Sequence, residues 1–510
     1  MNSPANFYKT QVIIIGAGPT GLSLAVQLIR YQVDFIIIEK NTALTNLSKA
    51  LVVQARTLEI FQEVGLTDKA IHEGRITNGM NLFYKGKKIA SVNISGLGEN
   101  ISPFPFALSL EQSKTEKLLA DYLAAHGKTI KWGCELTSLE QNDSGVTISI
   151  KNNNSQEEKI DADYLVGCDG AGSQVRHMLG LQLKGSTEPK LFYVADVILQ
   201  SDTINRDEIY MFMIKRGFVL FFPMEGEGHY RIIGVLPDAK NPDEKFTFDD
   251  VQPTIQQNIV TPVYIKELRW FSSYKVHSRK ADTFKQGRCF IAGDAAHIHT
   301  PAGGQGMNTG IQDAYNLAWK IAYRLKGEIN ESAVETYNTE RSANARHLLS
   351  TTDRMFDIMS GANSFWNFLR LNFFPPFLNL ITKSKLVRKR LFPLISQTGI
   401  AYPDSYLTVN SSVGKVKAGD RMHYFVFANG KDVFSYISEP CFKLLLFGET
   451  NGQKVDETKL AIKTYNFSEI PKALFGNERD FYILLRPDNH ICYIGKSFEK
   501  CRELVEKISH

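Results

Sequence analysis

Gly16, Gly18 and Gly21 follow the apolar run Val12-Ile13-Ile14-Ile15 and form G-x-G-x-x-G, with Pro19 and Thr20 inside the motif. An apolar, helix-like pattern runs on from Leu22 to Ile29, and a second run, Phe35 to Ile38, ends on Glu39. Strand, Gly-rich turn, helix, strand and acid, in that order, are the requirements of a dinucleotide cradle. Glycines let the backbone approach a pyrophosphate, and the helix N-terminus presents amides and a positive dipole end to it. Glu39 is placed to accept hydrogen bonds from a ribose diol. The competing interpretation is a tight strand-to-helix turn that binds nothing.

A second set of such residues lies far downstream. The run Cys289 to Ala292 ends on Gly293-Asp294, followed by Pro301, Gly303, Gly304, Gly306, Met307 and Asn308 and then a long helical pattern. A third, Tyr164 to Gly167, ends on Cys168-Asp169-Gly170 ahead of a polar helix start. One nicotinamide cofactor needs a single cradle. A second one implies a long cofactor gripped at both ends, or two cofactors. His297 and His299, spaced i, i+2, stand beside Asp294, but no further Cys, His or carboxylate cluster completes a metal site, so no metal is expected. No Ser-His-Asp order or G-x-S-x-G elbow is present, which argues against hydrolysis.

Elements that could position these residues can be placed along the chain. At 510 residues the chain exceeds one core, and about three domains are expected. A discontinuous nucleotide-binding domain is assigned to 8–75, 103–182 and 275–355. Between its pieces, 76–102 and 183–274 carry short runs of strand composition separated by polar turns, which suggests an antiparallel sheet with one face free to cover a ligand. Residues 356–404 read as a helical linker, and 405–510 as a separate strand-and-helix block. Within the linker, Phe365 to Leu378 is apolar at roughly helical spacing and is expected to pack against the substrate cleft. The net charge of +5 is mild and gives no case for nucleic acid. No apolar run reaches a membrane span. The six cysteines, at 134, 168, 289, 441, 492 and 501, lack C-x-x-C spacing and read as reduced thiols of a cytoplasmic protein.

Together the three motifs resemble those of the FAD-dependent aromatic hydroxylases, the single-component flavoprotein monooxygenases typified by para-hydroxybenzoate hydroxylase. Gln112 to Glu116 resembles that family's Gln-x-x-x-Glu segment, and Gln54 to Glu59 the helix after its first arginine, where Lys49 stands here. The resemblance is strong over about 8–350 and weak over 400–510. It implies a mixed α/β fold: a Rossmann-like FAD-binding domain, an inserted antiparallel β-sheet substrate domain and a thioredoxin-like C-terminal domain. It implies FAD as cofactor, NADPH or NADH as reductant, and O2 and an aromatic ring as substrates, the reaction running through a flavin C4a-hydroperoxide.

By the same resemblance, Gly16, Gly18, Pro19, Thr20 and Gly21 take the pyrophosphate and Glu39 the adenosine ribose, with Lys40 and Lys49 near the adenylate. Gln112 and the Leu136 backbone contact the cofactor. Gly293 and Asp294 serve the ribityl end, and Asp169 is structural at its strand end. Pro301, Gly304, Gly306, Met307 and Asn308 wrap the flavin ring. Phe212, Phe218, Phe221 and Phe222 are candidates for an aromatic-lined pocket, although the same residues would serve as plain core. Tyr210, His229 and Tyr274 are the candidate bases toward a phenol, none of them singled out. A flavin oxidase or reductase, or a ligand-sequestering flavoprotein, remains the alternative. The tail lacks redox cysteines and is expected to be an autonomous unit with a structural or homodimer-forming role.

Overall fold

The computed structural model describes residues 7–45, 50–214, 217–236, 246–259, 263–300, 304–360, 385–449 and 460–509. Lys49, Pro301 and the Phe365–Leu378 stretch lie outside them.

Strand Phe7–Ile15 pairs in parallel with Glu157–Gly167 on one side and Phe35–Glu39 on the other. Cys289–Ile291 and Ile130–Trp132 extend the sheet outward. Val12, Ile13 and Ile14 are fully buried. A parallel strand covered on both faces needs such an unbroken β-branched run, and each of these side chains contributes about 1.5–3 kcal/mol. Helix Pro19–Arg30 starts with proline at its first turn, where no amide partner is lost. It packs on the 20-residue helix Gly306–Leu325, most of which is buried.

The second sheet has eight strands. Two 18-residue strands, Leu183–Gln200 and Tyr264–Ala281, form its longest antiparallel pair. His229–Val235, Gly217–Pro223 and Glu208–Ile214 continue it antiparallel. Gly79–Tyr84 then joins Glu208–Ile214 in parallel, so the expected all-antiparallel sheet contains one parallel joint. A hairpin from a separate stretch of chain has no short turn to dictate its direction, which makes this pairing possible.

Strand alternation gives this sheet two chemically different faces. Tyr193, Tyr210, Phe212, Phe221 and Ile232 pack with Val251 and Ile255 of helix Phe248–Asn258. Leu82, Phe192, Met211, Met213, Phe218 and Val235 cluster on the opposite face with Tyr274.

The tail places Phe442–Phe447 between a parallel strand, Ile462–Phe467, and an antiparallel one, Phe481–Leu485. Ile491–Gly495 and helix Phe498–Ser509 complete it. Leu445, Phe447 and Ile483 belong to the tail's own core, with Phe425 and Phe475. Phe442, Leu444 and Leu446 instead join the apolar cluster of the first sheet, where Phe442 meets Trp319 edge-on at 5.6 Å. One face of the tail's sheet is therefore packed into the main core.

Candidate active site

The first glycine motif is built by close approach. Gly16 has φ +102°, and a Cβ there would lie 2.5 Å from the Cys168 carbonyl oxygen. At Gly21 a Cβ would lie 1.9 Å from the Gly16 carbonyl oxygen. Only glycine fits at either position. Gly18 differs: it caps helix Pro19–Arg30 in extended conformation, with nothing within 4 Å of its would-be Cβ. Space is thus left beside the first-turn amides, where an anion would sit. Glu39 Oε2 accepts from the Ala17 amide at 2.8 Å, and Oε1 accepts from Asn41 N–H and Nδ2–H. Lys40 is exposed beside it.

Thr20 ties this cradle to the second motif. Its Oγ1 lies 2.4 Å from a Cβ built on Gly293 and 2.3 Å from one built on Gly310. Two glycines, far apart in sequence, make room for one hydroxyl. Gly293 (φ +60°) opens the short turn Gly293–Ala295, on which Asp294 is exposed.

At the start of helix Gly306–Leu325, Asn308 is fully buried and uses both ends of its amide. Its Oδ1 accepts from Gln54 N–H at 2.9 Å and Thr57 Oγ1–H at 2.8 Å. Its Nδ2 donates to the carbonyls of Val52 and Gly304. The side chain is thus a structural clamp. The amides of Gly306, Met307 and Asn308 precede the helix's first internal donor, the Thr309 N–H, which donates to Gln305 O. Those amides and the helix dipole favour negative charge at this end.

Gln112 reaches the segment just before strand Val52–Val53: its Oε1 accepts from Ala50 N–H at 3.2 Å and its Nε2 donates to Glu116. Leu136 is buried in the first core, paired with Ile150. Asp169 accepts from Ser173 Oγ–H and the Val175 amide, capping the short helix Gln174–Met178.

Alternation splits the aromatic candidates. Phe212 and Phe221 are 2% and 0% exposed on the helix-covered face. Phe218 clusters on the opposite face, and Phe222 shares that side by alternation. Arg231 is on that side too, bound to Asp196 through two 2.7 Å bonds, with Nη1 3.4 Å from the Ala50 carbonyl. That contact turns this face toward the strand that braces Gly304 and Asn308. Among the base candidates, the Tyr210 hydroxyl accepts from Asn205 N–H on the covered face. His229 Nδ1 is 3.1 Å from the Glu225 carbonyl. Burial pushes the Tyr274 phenol up to about 12, which keeps its proton on.

Sequence reading missed a buried charge pair beneath the loop. Asp313 accepts from Arg341 Nε at 2.6 Å, from the Gly293 amide at 3.0 Å, and lies 2.8 Å from His297 Nε2. Burial alone would raise its carboxyl, but Arg341 and His297 hold it down at about 2. Asp313 is the one acid of helix Gly306–Leu325, and nothing local ties it to Arg341 or His297. Among the described residues no cluster of three His, Cys, Asp or Glu could hold a metal.

These residues fit FAD: an open Cβ direction at Gly18, two helix N-termini, and an acid at each cradle. Asp294→Ala removes an exposed carboxylate and no core. We expect it to fold normally and to weaken FAD binding by about 1–3 kcal/mol, read by flavin titration of the apoprotein.

Known proteins carry the same plan. The FAD binding domain family matches residues 9–352. The 6-methylpretetramide 4-monooxygenase of Streptomyces rimosus is 31% identical over 489 residues, covering 94% of this chain and 86% of that protein. The pentachlorophenol 4-monooxygenase of Sphingobium chlorophenolicum is 31% identical, covering 71% and 67%. The solved anhydrotetracycline hydroxylase of Streptomyces rimosus superposes with a TM-score of 0.78 at 26% identity, over 98% of this chain and 99% of that one. With the motifs, the paired cradles and these similarities in agreement, the chain belongs to the FAD binding domain family and is a flavin-dependent monooxygenase.

Proposed function

We propose that this enzyme hydroxylates an aromatic ring of phenolic or polyketide type, using NADPH or NADH and O2. The observation that carries the proposal is the sheet face bearing Met211, Met213, Phe218 and Tyr274, joined to the flavin-loop end through Arg231 and Ala50. An apolar, partly aromatic wall with one buried charged pair suits a planar ring that carries oxygen. The relatives' names, which specify chlorinated phenol and tetracyclic substrates, support the same class.

When bound, FAD supplies the electron transfer and the activation of O2. In this reading the chain's own residues bind, orient and exclude water. Gly18 and Thr20 meet the pyrophosphate, Glu39 the ribose, and Asp294 the ribityl end. The amides at Met307 and Asn308 stabilise charge on the ring edge. The division into an FAD domain (8–75, 103–182, 275–355), a substrate sheet (76–102, 183–274), a linker and a tail belongs to the same proposal. So does a cytoplasmic setting, in keeping with six free cysteines. Among the described residues no helix is long and apolar enough to cross a membrane. A homodimer through the tail is the expected assembly.

NAD(P)H oxidation under air should accelerate when a suitable ring is added, because reduction without substrate wastes the reductant. Labelled O2 should then add one oxygen atom to the product, read by mass spectrometry across a panel of phenols and polycyclic phenols. Steady peroxide release with no mass gain on any ring would favour the oxidase alternative.

A further inference from the structure

We propose that His299 is a further cofactor-binding residue, whose Nε2 accepts a hydrogen bond from the ring-and-ribityl half of FAD. His299 Nδ1 lies 2.9 Å from the Thr300 carbonyl, which fixes the proton on Nδ1 and leaves Nε2 as an acceptor. That Nε2 is buried and has no partner among the described residues. A buried polar atom without a partner is costly in a native protein, so it points to a ligand. Two neighbours repeat the pattern: among the described residues Thr300 Oγ1 and His297 Nδ1 also have no partner, on residues 3% and 2% exposed.

Position narrows the donor. A Cβ built on Gly306 would lie 3.4 Å from His299 Nε2 and Cε1. The nitrogen therefore stands beside the first turn of helix Gly306–Leu325, the end at which the flavin ring is expected. FAD offers donors there in its ring imide and its ribityl hydroxyls, whereas the pyrophosphate offers none. The His299 imidazole is oriented by its neighbours. His297 lies parallel to it, 13° between planes and 6.3 Å between centres. His297 is fixed in turn by Asp313, and Asp313 by Arg341, which also donates to the Tyr402 hydroxyl. Burial pushes His299 down to about 4, so the acceptor stays bare at neutral pH.

The test compares His299→Gln, His299→Asn and His299→Phe, measuring FAD binding to apoprotein by fluorescence titration and the absorption band of the bound flavin. Glutamine places an oxygen near the Nε2 position and should bind FAD within about twofold of wild type. Phenylalanine keeps the stacking and loses the acceptor; its FAD dissociation constant should rise about 3- to 10-fold, the scale of one hydrogen bond. The flavin band should shift with it. ADP, which carries only the pyrophosphate and adenosine, should bind all variants equally. If the phenylalanine variant fails to fold, asparagine, whose shorter side chain falls back from the Nε2 position, takes its place as the weakened variant. Equal FAD affinity and identical flavin spectra in glutamine and phenylalanine, or in glutamine and asparagine, overturn the proposal. Loss of ADP binding alongside FAD would do so too, by making the effect a general unfolding of the cradle.

Discussion

Gly18→Leu should empty the protein of FAD and leave its fold intact. No atom lies within 4 Å of the position its Cβ would take, and its backbone is extended, a conformation leucine adopts freely. The apoprotein should lose at most the modest advantage of glycine as a helix cap, below about 1 kcal/mol. The side chain would instead fill the space in front of the helix N-terminus and hold a pyrophosphate away from two or three amides. Each charge-assisted bond of that kind contributes about 1.5–3 kcal/mol, so affinity should fall on the order of 100-fold or more. Flavin titration and a thermal melt of the apoprotein separate the two effects. Gly21→Leu is the contrast: its Cβ would meet the Gly16 carbonyl at 1.9 Å, so stability and binding should fall together. FAD retention by Gly18→Leu at wild-type affinity would remove the first cradle from the binding site.

The strand-turn-helix-strand geometry of the first motif was legible because it is local. Val12 to Ile15, the glycines and Glu39 stand within one strand-turn-helix-strand unit, and each residue type is dictated by the backbone around it. The strands of the second sheet were legible from composition, but which face each would show was not. On strand Gly217–Pro223, Phe221 differs from Phe218 and Phe222 only in parity, and parity becomes meaningful once helix Phe248–Asn258 is known to cover one side. The structural part played by Asn308 was hidden for another reason: its partners Gln54 and Thr57 are more than 250 residues away in sequence. Asp313, Glu340, Arg341 and Arg486 read as ordinary polar positions on helices and a turn. Only the tertiary fold collects them into a buried network, and no short-range pattern encodes that. The same distance in sequence made the tail look separable, since its sheet alternates in a self-contained way until Phe442 and Trp319 are seen to meet.

Arg486→Met should loosen the tail from the catalytic body. Arg486 is 1% exposed and donates to Glu340 at 2.6 and 3.1 Å and to Asp488. Lys320 also reaches Glu340, at 2.9 Å, and Trp319 Nε1 donates to Asp488. The network thus spans helix Gly306–Leu325, helix Glu331–Ser360 and the tail. Removing one member leaves buried carboxylates short of a partner, and such losses cost about 3–5 kcal/mol. The urea midpoint should drop accordingly, and limited proteolysis should cut near the tail first. A neutral partner, as in Arg486→Met with Glu340→Gln, should recover part of the loss. The pH dependence follows from the same groups. Burial opposes ionisation of Glu340, yet Arg486 and Lys320 outweigh it and hold the carboxyl at about 2, below its ordinary 4.5. Its contribution is fully present above about pH 4.5 and disappears as pH falls toward 2, and Asp313 behaves alike. Lys320 and Lys443 have the opposite sense. Burial lowers both from 10.5 to about 8, so the folded state sheds their protons first and stability rises from these two between pH 8 and 10.5. Wild type should therefore lose stability steeply on the acid side, and Arg486→Met should flatten that limb, because Glu340 gains less from ionising when Lys320 is its remaining cation. An unchanged urea midpoint and an unchanged acid limb in Arg486→Met would show that the tail is held by its apolar face alone.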